Sequence, residues 1–329
     1  MALKIAINGF GRIGRCAARL LVNDPRCELA IINDTAESKL TRYLLQYDSI
    51  HGEFEKKVEI IDDDYIAIDG QKIRVYSTRE ISDMNLDGID VVLECTGKFL
   101  TTEKCEAYLK AGAKKVVMSA PAKDDTATFV MGVNHEKYAG EAIVSNASCT
   151  TNCLGPVAKV LEDNFGIEKG LMTTIHAYTS SQALLDNKKK DLRSSRAAAQ
   201  NLIPSTTGAA KAMKLIMPSL NGKLHGQSVR VPVADVSMVD LTAVLGRKTS
   251  KDELNETFLK AANSSLKGIM LVDFEERVSS DFMTSEYSSV VAADLTQVIC
   301  DDMVKIMAWY DNEWGYTKRL IDLACYISK

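Results

Sequence analysis

A cysteine set among hydroxyl and amide side chains is the first chemistry this sequence offers: Ser145-Asn146-Ala147-Ser148-Cys149-Thr150-Thr151-Asn152-Cys153. The stretch joins the apolar run Ala142-Ile143-Val144 to apolar residues at Leu154, Val157, Ala158 and Leu161, the spacing of an amphipathic helix over about 149–165. Cys149 therefore sits where a strand hands over to a helix. Unpaired N–H groups and the positive end of the helix dipole favour an anion there, so the thiol is expected to be pushed toward the nucleophilic thiolate. Cys153, four residues on, shares its helix face and reads as structural, since a disulfide to Cys149 would distort the helix start. A base is available at His176, because the alternation through Gly170–His176 puts Met172, Thr174 and His176 on one strand face. Alone, a strand histidine is more often structural than catalytic.

A second constellation lies at the N-terminus. The strand Lys4-Ile5-Ala6-Ile7 runs into Asn8-Gly9-Phe10-Gly11-Arg12-Ile13-Gly14, and a helical run, Arg15 to Val22, follows. A G-x-G-x-x-G pattern alone is weak. Here the strand Leu29-Ala30-Ile31-Ile32 ends in Asn33-Asp34, with Asp34 twenty residues past Gly14. That is where a carboxylate can accept from adenosine ribose hydroxyls while the glycines let the backbone approach a pyrophosphate.

The elements that must position these groups fall into two halves. Strand character returns at Asp90–Cys95 and Lys115–Met118 around a helix at about 102–111, after a β-hairpin excursion over 57–76 turning at Asp69-Gly70. Ligands of open parallel sheets bind at the carboxyl ends of the strands, so Thr96, Gly97 and Ser119 join Asn8 to Ile13 as crevice-lining candidates. Beyond residue 165 come alternating strands (Ser228–Pro232, Ser237–Val244, Gly268–Val272, Val304–Tyr310), helix-forming lysine and glutamate segments, and a last helix at about 314–327. The polar stretch 179–201 carries Lys188-Lys189-Lys190 and is long enough to be functional or to meet a partner subunit. Ser205-Thr206-Thr207-Gly208 reads as a hydroxyl-rich turn into a helix, a second anion site. The expected fold is α/β: a Rossmann-type parallel-sheet domain, 1–148, completed by the C-terminal helix 314–329, and an α+β catalytic domain, 149–313, with a mixed or antiparallel sheet.

Composition narrows the function further. At 329 residues, 46% hydrophobic and 26% charged, the chain has the make-up of a soluble two-domain protein. A net charge of −4 gives no reason to expect a nucleic-acid or membrane partner, and no apolar run reaches the length of a membrane span. The start Met1-Ala2-Leu3-Lys4-Ile5 lacks a signal-peptide layout, and eight scattered cysteines suit reduced thiols, so a cytoplasmic location is expected. With four histidines and no Cys/His cluster, no metal site is expected.

Five separated motifs carry a family resemblance over the whole length: Ile7–Arg15, Ser145–Asn152, Thr174–Thr179, Thr207–Lys211 and Trp309-Tyr310-Asp311-Asn312-Glu313-Trp314-Gly315-Tyr316. In this order they resemble phosphorylating glyceraldehyde-3-phosphate dehydrogenase. The resemblance implies that Cys149 attacks the aldehyde of D-glyceraldehyde 3-phosphate while His176 takes the hydroxyl proton. Hydride then passes to the nicotinamide and leaves a thioester, which inorganic phosphate converts to 1,3-bisphosphoglycerate. By the same resemblance Thr179 and Arg230 hold the substrate phosphate, and Ser148, Thr150, Thr207 and Gly208 belong with the phosphate sites. Asn312 orients the nicotinamide carboxamide, Arg79 lies along the adenosine half, Tyr316 closes over the nicotinamide, and the enzyme is a homotetramer. Thr35 stands where many NAD-specific members have proline, and Asn187-Lys188 where they have Leu-Pro, so NAD use with NADP also accepted is expected. Ser181 and Ser194 replace residues that are acidic or arginine in some relatives.

Two competitors stand beside this. Erythrose-4-phosphate dehydrogenase is similar, but usually departs from Thr207–Lys211 and Asn33-Asp34, both kept here. A non-catalytic nucleotide- or RNA-binding protein on the same scaffold has no need of Cys149, His176 and Arg230 together.

Overall fold

Short apolar runs alternating with amphipathic segments build two sheets in the computed structural model, which describes residues 2–329. The chain divides into two compact units, residues up to Phe129 with His135–Ser148 and Thr317–Lys329, and Val130–Asn134 with Cys149–Tyr316.

In the first unit the strands are β1 (Leu3–Asn8), β2 (Cys27–Asn33), β3 (Val58–Asp62), β4 (Tyr65–Ile68), β5 (Gln71–Tyr76), β6 (Val91–Glu94), β7 (Lys115–Met118) and β8 (Ile143–Ser145). They lie in the order β3-β4-β5-β2-β1-β6-β7-β8, parallel from β5 to β8. The antiparallel excursion β3–β5 turns at Asp69 and Gly70, both with positive φ (46° and 81°). Helices α1 (Arg12–Leu21), α2 (Ser38–Gln46) and α3 (Thr102–Lys110) provide connections. The strand order reverses between β1 and β6, the place where doubly wound sheets open a crevice.

The glycine motif has three distinct physical jobs. Gly9 has φ +92°, and a Cβ there would lie 2.6 Å from Thr96 N at the end of β6. At Gly14 a Cβ would lie 2.2 Å from Gly9 O, so only glycine lets α1 pack this close to β1. At Gly11 a Cβ would meet nothing within 4 Å, leaving the loop open to a ligand. Helix α1 begins at Arg12, three residues before the expected start at Arg15, with Gly11 as an N-cap that makes no side-chain bond. Its first-turn N–H groups therefore lie inside the glycine motif.

Beneath this turn Glu94, buried, accepts from four donors: Asn8 Nδ2 (3.2 Å), the Tyr108 hydroxyl, Thr96 N (2.7 Å) and the Thr96 hydroxyl. All-donor surroundings suit a carboxylate and reject an amide. Glu94→Gln is expected to cost about 2 kcal/mol by turning an NH2 toward N–H and O–H donors; an unchanged urea midpoint would show that the network tolerates it.

In the second unit the strands are β9 (Ile167–Ala177), β10 (Ile203–Thr206), β11 (Leu224–Val231), β12 (Ser237–Leu245), β13 (Met270–Asp273), β14 (Ser289–Ala292), β15 (Gln297–Ile299) and β16 (Met303–Tyr310). Their order is β10-β11-β9-β12-β16-β14-β13, with β15 on β16. The sheet is mixed, as β11 runs parallel to β9 and β13 to β14. Helices α4 (Cys149–Phe165), α5 (Ala209–Ile216) and α6 (Lys251–Ala262) belong to this unit, and α7 (Trp314–Ile327) closes the chain. Ser205 and Thr206 lie in β10, paired with β11, and not in a turn; the turn is confined to Thr207 and Gly208. Among the described residues no helix is long and apolar enough to cross a membrane.

Candidate active site

Cys149 is the first residue of α4, reached through Ala147, a non-glycine residue at φ +56°. That left-handed turn is uncommon for a residue with a Cβ, and here it swings the chain from the end of β8 into the helix. Met172, Thr174 and His176 are all buried on one side of β9, the face expected from the alternation. The cysteine and the histidine come together: Cys149 Sγ lies 3.5 Å from His176 Nε2.

The sheet supplies the rest. Arg230 on β11 is the register partner of His176 on β9, and its Nη1 lies 2.6 Å from His176 Nδ1 and 3.0 Å from Ala177 O. His176 Nδ1 is also 2.7 Å from Ala177 O. One nitrogen cannot donate to Ala177 O and accept from the guanidinium at once. The contacts therefore suit either tautomer, one with the Nε2 proton facing the sulfur and one with an Nε2 lone pair facing it.

Tyr310, on β16, is a residue the sequence reading did not single out for the site. Its buried hydroxyl lies 2.9 Å from Thr150 Oγ1 and 2.8 Å from Thr174 Oγ1, bracing the start of α4 against β9. Its ring stands edge-on to His176 at 6.0 Å. Thr150 is itself buried, and its hydroxyl serves this brace and the Cys149 sulfur.

Electrostatics bear on one expectation. Burial pushes the Cys149 thiol above its ordinary value, against the pull of the Arg230 charge and of hydrogen bonds from Thr150. Desolvation thus opposes the helix-start stabilisation of the anion, with the Arg230 charge and Thr150 on the side of the thiolate. Burial first, and the Arg230 charge second, bring His176 down to about 3, which leaves the imidazole neutral. Burial likewise lifts the Cys153 thiol, whose Sγ packs 3.8 Å from Ala308 O inside the core; both Cys149 and Cys153 are free.

Asn312 is buried, and its Oδ1 accepts from Ser237 Oγ (2.6 Å), which in turn accepts from Ala177 N (3.0 Å). Asp311 caps the start of α7, accepting from Glu313 N (2.8 Å) and Trp314 N (2.6 Å), and so fixes the turn that carries Asn312. Tyr316 is buried in the first turn of α7. Thr179 lies just past β9 with its hydroxyl 2.8 Å from Ser181 Oγ. At the start of α5, Thr207 Oγ1 accepts from Ala209 N (3.2 Å) beside exposed Gly208. Ser148 is half-buried, immediately before α4.

In the first unit a cavity of about 390 Å³ opens at the β1/β6 switch point. Of the expected cofactor residues, Asn8, Gly9, Gly11, Asp34, Arg79 and Thr96 line it. The Asp34 carboxylate is aimed by three backbone donors, Phe10 N (2.6 Å), Thr35 N (2.7 Å) and Ala36 N (3.2 Å). Phe10 is otherwise buried, Arg12 pairs with Asp48, and Ile13 is half-buried. Gly97 (φ +67°) and Ser119, whose N–H donates to Glu94 O at 2.9 Å, lie just beyond β6 and β7 outside the cavity lining. Sequence reasoning missed Thr78 and Lys98 in the lining, and gave Asn33 no contact of its own. Asn33 Nδ2 donates to Asn8 Oδ1 (2.6 Å) and Thr78 O (3.1 Å), tying β1, β2 and the segment after β5 together. The open Gly11, the uncapped first turn of α1 and the aimed Asp34 fit a dinucleotide.

A glycine-turn dinucleotide crevice on one unit and a cysteine–histidine pair on the other are the parts that a dinucleotide-dependent oxidoreductase needs. Residues 3–102 match the glyceraldehyde 3-phosphate dehydrogenase NAD binding domain and residues 148–312 its C-terminal domain. The chain is 47% identical to glyceraldehyde-3-phosphate dehydrogenase A of Escherichia coli (strain K12), over 100% of both chains. It is 46% identical to glyceraldehyde-3-phosphate dehydrogenase 1 of Bacillus subtilis (strain 168), over 100% of this chain and 99% of that one. To the chloroplastic glyceraldehyde-3-phosphate dehydrogenase A of Chlamydomonas reinhardtii it is 49% identical, over 98% of this chain and 88% of that one. The chain belongs to the glyceraldehyde-3-phosphate dehydrogenase family, an NAD(P)-linked oxidoreductase built on a Rossmann domain and a second α/β domain.

Proposed function

We propose that the chain oxidises D-glyceraldehyde 3-phosphate and passes the acyl group to inorganic phosphate, with Cys149 as nucleophile and His176 as base. The observation that carries this is the 3.5 Å approach of Cys149 Sγ to His176 Nε2, with Arg230 against the far side of the imidazole. Sulfur adds to the aldehyde carbon to give a hemithioacetal, and Nε2 takes the hydroxyl proton. The nicotinamide, when bound, supplies the hydride acceptor. The remaining thioester keeps enough acyl-transfer potential for phosphate oxygen to attack its carbon and expel the Cys149 sulfur.

Arg230 has two tasks on this reading. Its guanidinium, with Thr179, takes the substrate's C3 phosphate; drawn toward that anion, it releases His176 Nδ1 to donate to Ala177 O, and Nε2 becomes the proton acceptor. Ser148, Thr207 and Gly208 receive the attacking phosphate, and Thr150 supports the sulfur. Asn312, its Oδ1 taken up by Ser237, presents its amide N–H to the carboxamide, and Tyr316 closes over the ring.

The cofactor residues are Asn8 to Ile13, Asp34, Arg79, Thr96, Gly97 and Ser119. Asp34 favours ribose hydroxyls, whereas Thr35, Arg79 and Lys98 line the same cavity and can accommodate a 2′-phosphate. NAD use with appreciable NADP use is expected: a ratio of kcat/KM beyond about a thousandfold, roughly 4 kcal/mol, would reject it. Asp34→Ser should move that ratio toward NADP by at least about tenfold.

The uncovered face of the second sheet, where Leu171 and Met303 are 69% and 41% exposed, supports a homo-oligomer, a tetramer in our proposal. A cytoplasmic setting is supported by eight free cysteines. The deciding assay follows NADH formation from glyceraldehyde 3-phosphate with and without inorganic phosphate. Faster turnover of erythrose 4-phosphate, or a rate indifferent to phosphate, would overturn the reading.

A further inference from the structure

A second thiol pair lies far along the chain from Cys149, in the first unit. Cys27 opens β2 and Cys325 lies near the end of α7, and their Sγ atoms are 3.4 Å apart although 298 positions separate them in sequence. Both thiols are free and half-buried, so a small reagent can reach them. We propose that Cys27 and Cys325 form a reversible redox site, closing to a disulfide that staples the C-terminal end of α7 to the start of β2.

The surroundings favour thiol chemistry. Arg26, next to Cys27, bonds Asp24 through Nη2 (2.6 Å) and Asp322 through the same nitrogen (2.7 Å). Asp322 lies one turn before Cys325 on α7 and also pairs with Arg319 (2.6 Å). The helix end and the strand start are thus already held together by ions, and the two sulfurs need approach by only about 1.4 Å to reach a disulfide bond length. Either sulfur can donate to the other, and the Arg26 charge beside them favours the thiolate on whichever gives up its proton.

With a small-molecule disulfide as oxidant the electrons balance. One of the two thiols, as its thiolate, attacks one sulfur of the reagent and expels a thiolate, leaving a mixed disulfide; the other gives up its proton, attacks the protein sulfur of that mixed disulfide and expels the second thiolate. The protein loses two electrons and two protons, and the reagent is reduced to two thiols.

The pair is independent of the catalytic proposal, and its test needs no turnover. The full-length Cys149→Ser chain, incubated dilute with hydroxyethyl disulfide, is digested without reduction and mapped by mass. The expected product is one cross-linked peptide pair containing Cys27 and Cys325, accompanied by a rise of at least about 3 °C in the melting midpoint, both reversed by dithiothreitol. Added Cys27→Ala should leave a mixed disulfide on Cys325 and no rise. Separate adducts on the two sulfurs, or neither sulfur reacting while exposed Cys300 is derivatised, would overturn the proposal. The peptide map of the parent chain decides even if the alanine variant does not fold.

Discussion

Cys149→Ser is expected to lower phosphate-dependent turnover of glyceraldehyde 3-phosphate by about 10⁴-fold, with NAD binding changed by less than about twofold. The sulfur does two jobs that oxygen does poorly. It adds to an aldehyde at a usable rate, and it leaves as a good leaving group when phosphate attacks the acyl carbon. Burial raises the Cys149 thiol, and a serine hydroxyl at the same site starts from a far higher value and has no comparable route to its anion. The dinucleotide crevice is lined by residues 8–99 of the other unit, so its affinity should survive the change. Pre-steady-state mixing separates the steps: wild type should give a burst of NADH without phosphate, one equivalent per active site, and the serine variant none. A serine variant within tenfold of wild type would remove Cys149 from the chemistry.

His176→Asn is expected to lower kcat by roughly 10²–10⁴-fold and to flatten its dependence on pH. Asparagine can still donate toward the sulfur but cannot take a proton. Alkylation of Cys149 by iodoacetamide should slow as well, because the neutral imidazole 3.5 Å away no longer receives the thiol proton. A stability signature accompanies the kinetic one. With His176 brought down to about 3 in the folded chain and near 6.5 unfolded, the unfolded state binds the extra proton between those values. Stability from this group is therefore complete above pH 6.5 and is lost as pH falls toward 3. The asparagine variant should lose this part of the acid sensitivity, read as a shallower fall of the denaturant midpoint with pH. An unchanged pH profile of both rate and midpoint would make His176 a packing residue.

Much of the site was legible because each motif is local. The Gly9–Gly14 turn, Asp34 at the end of β2, and Cys149 at the head of α4 all depend on residues within one strand-to-helix passage. What could not be read depends on strand pairing. Arg230 and His176 lie 54 positions apart and meet only because β11 runs parallel to β9 in that register. Tyr310 looked like one more apolar residue in the alternation of β16, and its role follows from two threonines on other elements. The start of α1 was misplaced because Gly11 caps it without a side chain that could signal the boundary.

Thr150, Arg230 and Tyr310, which bear on the reacting sulfur or its imidazole, lie in the second unit, while the Asp34 carboxylate and the cations that line its cavity belong to residues 8–99. Selection can therefore retune which electron carrier is used without disturbing acyl transfer. A library confined to Asp34, Thr35, Thr78, Arg79 and Lys98 is the natural place to evolve one trait with the other held constant.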